Sequence, residues 1–183
     1  MRHEPLRRNF NEQSMLIQDK IGNIQTFAVD GRVIDPVELE WYETGKRILR
    51  KRTRAGEEIA LKFLRESPAL MEGDILYEDG TKLIVVAIVA CETLVICPAS
   101  LYEVAAVCYE IGNKHLPLFF EKEELLVPFE APLFRSLTAA GYVVRKEERK
   151  LLQPLKTSVA AHAHADPGGS LFSRILQRTI PGT

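Results

Sequence analysis

From Thr93 to Arg145 the hydrophobic pattern changes period in a fixed order, and few folds accommodate that order. Residues 93–96 are a short apolar run closed by Pro98, which reads as a strand. Ser100 followed by Glu103 is a capping-box signature for a helix start. Leu101, Val104, Ala105, Cys108 and Ile111 then recur at helical spacing and predict one inward apolar face, with Gly112 as the stop. Residues 116–120 read as a strand, 121–124 as a turn and 125–129 as the returning strand. A second helix is expected near Pro132, with Leu133, Phe134 and Leu137 inward and Gly141 at its end. Residues 142–145 supply a last strand. The order β-α-β-β-α-β is that of a ferredoxin-like unit.

The preceding stretch has a period near two. Residues 14–18 read as a strand, Gly22-Asn23 as a turn, 24–29 as a second strand and Asp30-Gly31 as another turn. Residues 39–53 and 57–64 flank Arg54-Ala55-Gly56, a hairpin signal. Ile59, Leu61 and Phe63 alternate with Ala60, Lys62 and Leu64, which gives one buried face. Residues 75–77 lead into Glu78-Asp79-Gly80-Thr81, and 83–89 return. The expectation is an α+β chain in four parts. A polar arm (1–13) is followed by an antiparallel all-β domain (14–90). A ferredoxin-like domain (91–150) and a flexible histidine-containing tail (151–183) complete it. Within the tail, Leu171, Phe172, Ile175 and Leu176 share one side of a marginal helix over 170–177.

Composition narrows the function classes. The formal net charge is −1, so nothing global attracts nucleic acid or an anionic membrane. The longest apolar run, 83–96, is interrupted by Glu92 and falls short of the roughly 20 residues a span needs. Residues 1–13 lack an apolar signal-peptide core, so a cytoplasmic location is expected. Cys91, Cys97 and Cys108 show no CxxC spacing and read as small buried hydrophobes, with soft-metal thiolates as the functional alternative. The basic run Lys46, Arg47, Arg50, Lys51, Arg52 and Arg54 reads as a solvated hairpin face balanced by nearby glutamates, with protein docking as its functional alternative. No GxSxG, P-loop, HExxH or paired-carboxylate motif is present, which disfavours an enzyme.

The chain has four histidines. His115 follows the first predicted helix, within Tyr109-Glu110-Ile111-Gly112-Asn113-Lys114-His115. It reads either as a surface histidine favoured by the helix dipole or as a metal ligand. His162 and His164 stand two apart in a small, Gly/Pro-rich tail, where both imidazoles can turn to one ion. One ordered histidine does not make a tight site, because imidazole sites want about four to six donors. A two-fold homodimer with His115 near its axis would count the ligand twice.

These residues resemble the urease accessory protein E (UreE) family of nickel metallochaperones. The resemblance rests on Leu39-Glu40-Trp41-Tyr42-Glu43-Thr44, on Gly73-Asp74-Ile75-Leu76-Tyr77 and above all on the block from Cys108 to His115. It implies a β-rich N-terminal domain of peptide-binding type and a ferredoxin-like domain that binds metal and dimerises. It places the family's ligand histidine on His115 and matches His162 and His164 to its tail histidines in kind. Some members carry further histidines after the motif, whereas residues 121–135 contain none here. The expected function is delivery of Ni²⁺ to the urease apoprotein, with a maturation GTPase as a further partner. Copper should compete well for the site and zinc appreciably, since donor chemistry alone does not select nickel. Binding should weaken as pH drops through roughly 6.5, where free imidazole protonates. The alternative is a metal-independent interaction module that docks a partner through its β domain.

Overall fold

The computed structural model describes residues 14–64 and 69–155. Its first half is built from β1 (Met15–Ile17), β2 (Gly22–Asn23), β3 (Val33–Leu39), β4 (Ile48–Arg52), β5 (Glu58–Lys62), β6 (Asp74–Glu78) and β7 (Lys82–Ile88). These form a three-stranded sheet in the order β1-β5-β4 and a four-stranded sheet in the order β2-β6-β7-β3. The hairpins expected around 54–56 and 78–81 are present, β4 with β5 and β6 with β7, whereas 14–18 and 24–29 do not pair. The expectation of purely antiparallel pairing is corrected, because β1 runs parallel to β5 and β3 parallel to β7.

Three local readings also change. Residues 24–29 form turns rather than a strand. The Asn23 side-chain oxygen accepts the Gln25 N–H, its amide donates to Glu72 O and Asp74 Oδ1, and the chain bends there. Ile24, Phe27 and Val29 then cover Ile75 of β6 and Leu83 and Val85 of β7. The long element expected over 39–53 is split by a 3-10 turn, Trp41–Glu43, in which Glu43 accepts the Glu40 N–H. Strand β3 went unrecognised because it contains Pro36. It is tolerated on this edge strand, and its carbonyl accepts the Arg54 N–H.

The core between the two sheets comprises Ile17, Val37, Leu39, Ile59, Leu61, Phe63, Leu76, Ile84, Val86 and Ile88. Ile59 and Leu61 are buried while Glu58 and Lys62 on the same strand are exposed, so the predicted alternation holds. β7 is buried along most of its length, as a strand covered on both faces should be.

The second half contains β8 (Cys91–Ile96), α1 (Leu101–Asn113), β9 (Phe119–Glu121), β10 (Glu124–Pro128), α2 (Ala131–Ala139) and β11 (Val144–Arg149). The sheet order is β11-β8-β10-β9 with every neighbouring pair antiparallel, which is the ferredoxin-like arrangement. The fold class is therefore α+β, as expected. One face of this sheet packs Leu94, Ile96, Leu125 and Val127 against Val107 and Ile111 of α1 and Leu133 and Leu137 of α2. The other face carries Val95, Phe119, Leu126 and Leu151, with Trp41 of the first half packed edge-on against Phe119 at 5.7 Å. Among the described residues no helix is long and apolar enough to cross a membrane.

Candidate metal centre

Helix α1 begins as its sequence predicts. Ser100 Oγ accepts the Glu103 N–H at 3.2 Å, and the Glu103 carboxylate accepts the Ala99 N–H. Its end differs from the expected stop at Gly112, which lies inside the helix. The chain turns at His115, with φ of 54°. His115 donates its N–H to Gly112 O at 3.0 Å, and Leu116 donates to Ile111 O at 3.2 Å. That pair of bonds is a Schellman motif with Lys114 as C-cap and His115 in the left-handed position that glycine usually fills.

The inward face of α1 is also narrower than predicted. Val107 and Ile111 are buried, with Val104 and Cys108 half-buried beside them. Leu101 and Ala105, expected to face the core, are exposed. Helical rotation places Leu101, Tyr102, Ala105, Tyr109 and Gly112 within an arc of roughly 100° on the outward side. Leu101 is 84% exposed, Tyr102 81% and Tyr109 72%, so this arc is apolar and uncovered in the single chain. Three residues further on lies His115, itself exposed.

Two other donor classes are accounted for by packing. Burial raises the thiol pKa of Cys91 and of Cys108, which keeps both protonated and behaving as apolar side chains. Glu124 and Glu147 are held below the usual carboxylate range, first by hydrogen bonds from Arg145 and then by those from Arg149. Arg149 also pairs with Glu121, so these three carboxylates form an ion network. Among the described residues no three metal-ligating side chains come together, and His115 is their one histidine. His162 and His164 lie outside the described residues.

One feature was missed in the sequence. Packing does not stop at the expected boundary of 150. Leu151 is 2% exposed against Val95, Phe119 and Leu126, and residues 153–155 pair with the free edge of β9. The signal was present in Leu151-Leu152-Gln153-Pro154-Leu155, an apolar cluster ahead of the small and polar residues.

Comparison with known proteins gives one consistent answer. The model for the N-terminal domain of the UreE urease accessory protein matches residues 17–89. The chain is 43% identical over 162 residues to urease accessory protein UreE of Flavobacterium johnsoniae, which covers 88% of this chain and 98% of that protein. It is 36% identical over 151 residues to urease accessory protein UreE of Acetivibrio thermocellus, covering 82% and 98% of the two chains. For urease accessory protein UreE of Helicobacter pylori the figures are 36% over 157 residues, with 84% and 91% covered. With matches of this extent reaching across both halves of the fold, the chain belongs to the UreE family of urease accessory proteins, which are accessory factors and not enzymes.

Proposed function

We propose that this protein is a nickel metallochaperone that holds Ni²⁺ at a homodimer interface and delivers it to the urease apoprotein during urease maturation. The observation that carries the reading is the placement of His115. It is an exposed imidazole in a glycine-type backbone position, at the end of a helix whose outward face is apolar. An exposed patch of Leu101, Tyr102 and Tyr109 is the composition of an interface core, and a second copy of the same helix is self-complementary to it under two-fold symmetry. Pairing α1 with its symmetry mate would bring two His115 side chains to one place. Each would donate one imidazole nitrogen, and His162 or His164 from the tails would add more.

Such a shell suits a carrier. Nickel accepts imidazole readily, and affinity at N-donor sites follows the general first-row order, so copper competes and zinc substitutes. A site assembled from two protomers and two tails opens by losing tail ligands one at a time, which permits transfer to a partner. Because only neutral imidazole binds metal, acid releases the ion. That the relatives are urease accessory proteins supports urease maturation as the setting. Partners in this reading are the urease apoprotein and the maturation GTPase, met in the cytoplasm.

Calorimetric titration of Ni²⁺ into the full chain and into His115→Gly tests the proposal. Tight binding should be lost while the dimer persists, and unchanged affinity would refute it. Anomalous scattering from nickel-soaked crystals would identify ion and ligands together.

A second reading has its own observation. The outer face of the β1-β5-β4 sheet exposes Leu16 (56%) and Ile48 (72%) beside Arg50 and Lys62, a surface suited to protein docking. Were docking the whole function, partner affinity would be identical with and without Ni²⁺.

A further inference from the structure

We infer that the open edge of β4 is a docking edge for an extended, acidic segment of a partner protein, which adds to the β1-β5-β4 sheet as a fourth strand. Nothing in this depends on the nickel reading above. Sheet edges are where a second chain can pair, and most edges of this fold are closed to one. Strands β1 and β2 are three and two residues long. The outer side of β3 is taken up, since Pro36 O accepts the Arg54 N–H and Val37 bridges Thr53. Residues 153–155 cover β9. Strand β11 is open, but its charges are matched within its own sheet. Arg145 and Arg149 pair with Glu147, and Lys146 pairs with Glu92. That leaves β4, five residues long and roughly 16 Å from end to end.

The backbone of β4 faces two ways. Phe63 donates to Arg47 O and Thr53 to Glu57 O, each at 2.9 Å. In this antiparallel register those bonds turn the N–H and C=O groups of Leu49 and Lys51 toward β5. The same groups of Ile48, Arg50 and Arg52 point to the open side. All three of those side chains are exposed on the outer face. Most cations of this region are already satisfied. Lys51 pairs with Glu43 at 2.5 Å, Arg54 with Glu38 at 2.7 Å and Arg52 with Glu58. Among the described residues Arg50 and Lys62 have no anionic partner, and Lys62 stands opposite Ile48.

Charge on an edge strand commonly guards it against unwanted pairing. A guard alone does not account for Ile48, which stands 72% exposed on the same edge. Unpaired main-chain groups, an apolar contact at Ile48 and a free cation at Arg50 together select the occupant. Two copies of β4 paired about residue 50 would set Arg50 against Arg50, and like charges directly opposite destabilise a strand pair. A nucleic acid is disfavoured too, because the outer face of β1, β5 and β4 offers no aromatic side chain for a base to stack on. An acidic strand fits. It sets a carboxylate beside Arg50 and, two residues along, an apolar side chain beside Ile48. In such strand addition the main-chain bonds supply affinity and the alternate side chains supply specificity.

The test uses the full chain and a fluorescein-labelled peptide in which two glutamates and one isoleucine, spaced two apart, alternate with threonines. Fluorescence anisotropy should show saturable binding that weakens as salt rises. Arg50→Glu should weaken it by at least about tenfold, since a like charge then faces the glutamates. Ile48→Thr keeps a β-branched residue and should weaken it about threefold. Arg135→Glu, on the exposed side of α2, should change nothing. With peptide bound, hydrogen exchange at the Ile48, Arg50 and Arg52 amides should slow, because those N–H groups become ladder donors. Unslowed exchange at these amides overturns the inference. So does undiminished binding of a peptide N-methylated at alternate amides on either side, since the cations would then act without strand pairing. Equal binding of a peptide with lysines in place of the glutamates overturns it as well. So does an oligouridine RNA that binds through Arg50 where the peptide does not. His115→Gly should bind the peptide as the parent chain does, so failure of the nickel reading leaves this result standing.

Discussion

Helices α1 and α2 end in the same hydrogen-bond pattern with different residues at its critical point. In α2, Gly141 (φ 85°) donates to Thr138 O and Tyr142 donates to Leu137 O. In α1, His115 (φ 54°) donates to Gly112 O and Leu116 to Ile111 O. Glycine adopts this conformation without penalty, whereas a residue with a Cβ carries a cost of about 1 kcal/mol there. One helix therefore ends with the residue best suited to the backbone and the other does not, and the proposed metal role gives a reason for an imidazole at that position. The outward faces differ as well. Arg135, Ser136 and Thr138 leave α2 polar, while Leu101, Tyr102 and Tyr109 leave α1 apolar. Both features fall on the same helix, which is why the proposed function puts the interface and the metal on α1 and not on α2.

The sharpest way to break this contrast is to make the two ends alike. His115→Gly should lower nickel affinity by at least about a hundredfold, ~2.7 kcal/mol by calorimetry. It should nonetheless raise the melting temperature of the metal-free protein by about 2–4 °C per kcal/mol gained. A site residue whose removal stabilises the fold is the signature expected if the strain is real. Next in size is the face. Tyr109→Glu should weaken the proposed dimer by about 2 kcal/mol or more, seen in sedimentation as dissociation at micromolar protein, because buried aromatics dominate such interfaces. Arg135→Glu on α2 should leave the dimer unchanged. A third variant, Gly141→Ala, meets no atom within 4 Å of its new Cβ, so its cost is purely conformational. It should lose about 1 kcal/mol in denaturant melts and no nickel affinity. A loss well beyond that would mean the two helix ends are not equivalent.

Much of this was legible in the sequence where the deciding interaction is local. The Ser100 and Glu103 cap, the turn around Asp79 and Gly80, and the Gly141 stop are set by side chains within four residues, and all three stand. The parallel pairings of β1 with β5 and β3 with β7 join segments more than forty residues apart, and no local pattern reports them. The α1 stop was misplaced because Gly112 carries the residue signal while His115 carries the conformation. Leu101 and Ala105 were assigned inward because an apolar residue on an exposed helix face can share the periodicity of one bound for the core. His115 itself was identifiable as a candidate ligand from its scarcity and place. Its glycine-type backbone was not, since φ is a property of the folded turn.

The smallest expected effect separates imidazole from backbone. Asparagine tolerates the left-handed region better than most residues and offers only a neutral amide. His115→Asn should therefore change stability by less than about 0.5 kcal/mol, within the range of ordinary surface substitutions. Its nickel affinity should nevertheless fall as far as that of His115→Gly. If asparagine stabilised the fold as much as glycine does, the cost at residue 115 would lie in the histidine ring and not in the turn. The likeness between the two helix ends would then be one of hydrogen bonds alone. If asparagine retained nickel affinity, the ion would be held by other donors, and the exposed position of His115 would serve only to end the helix.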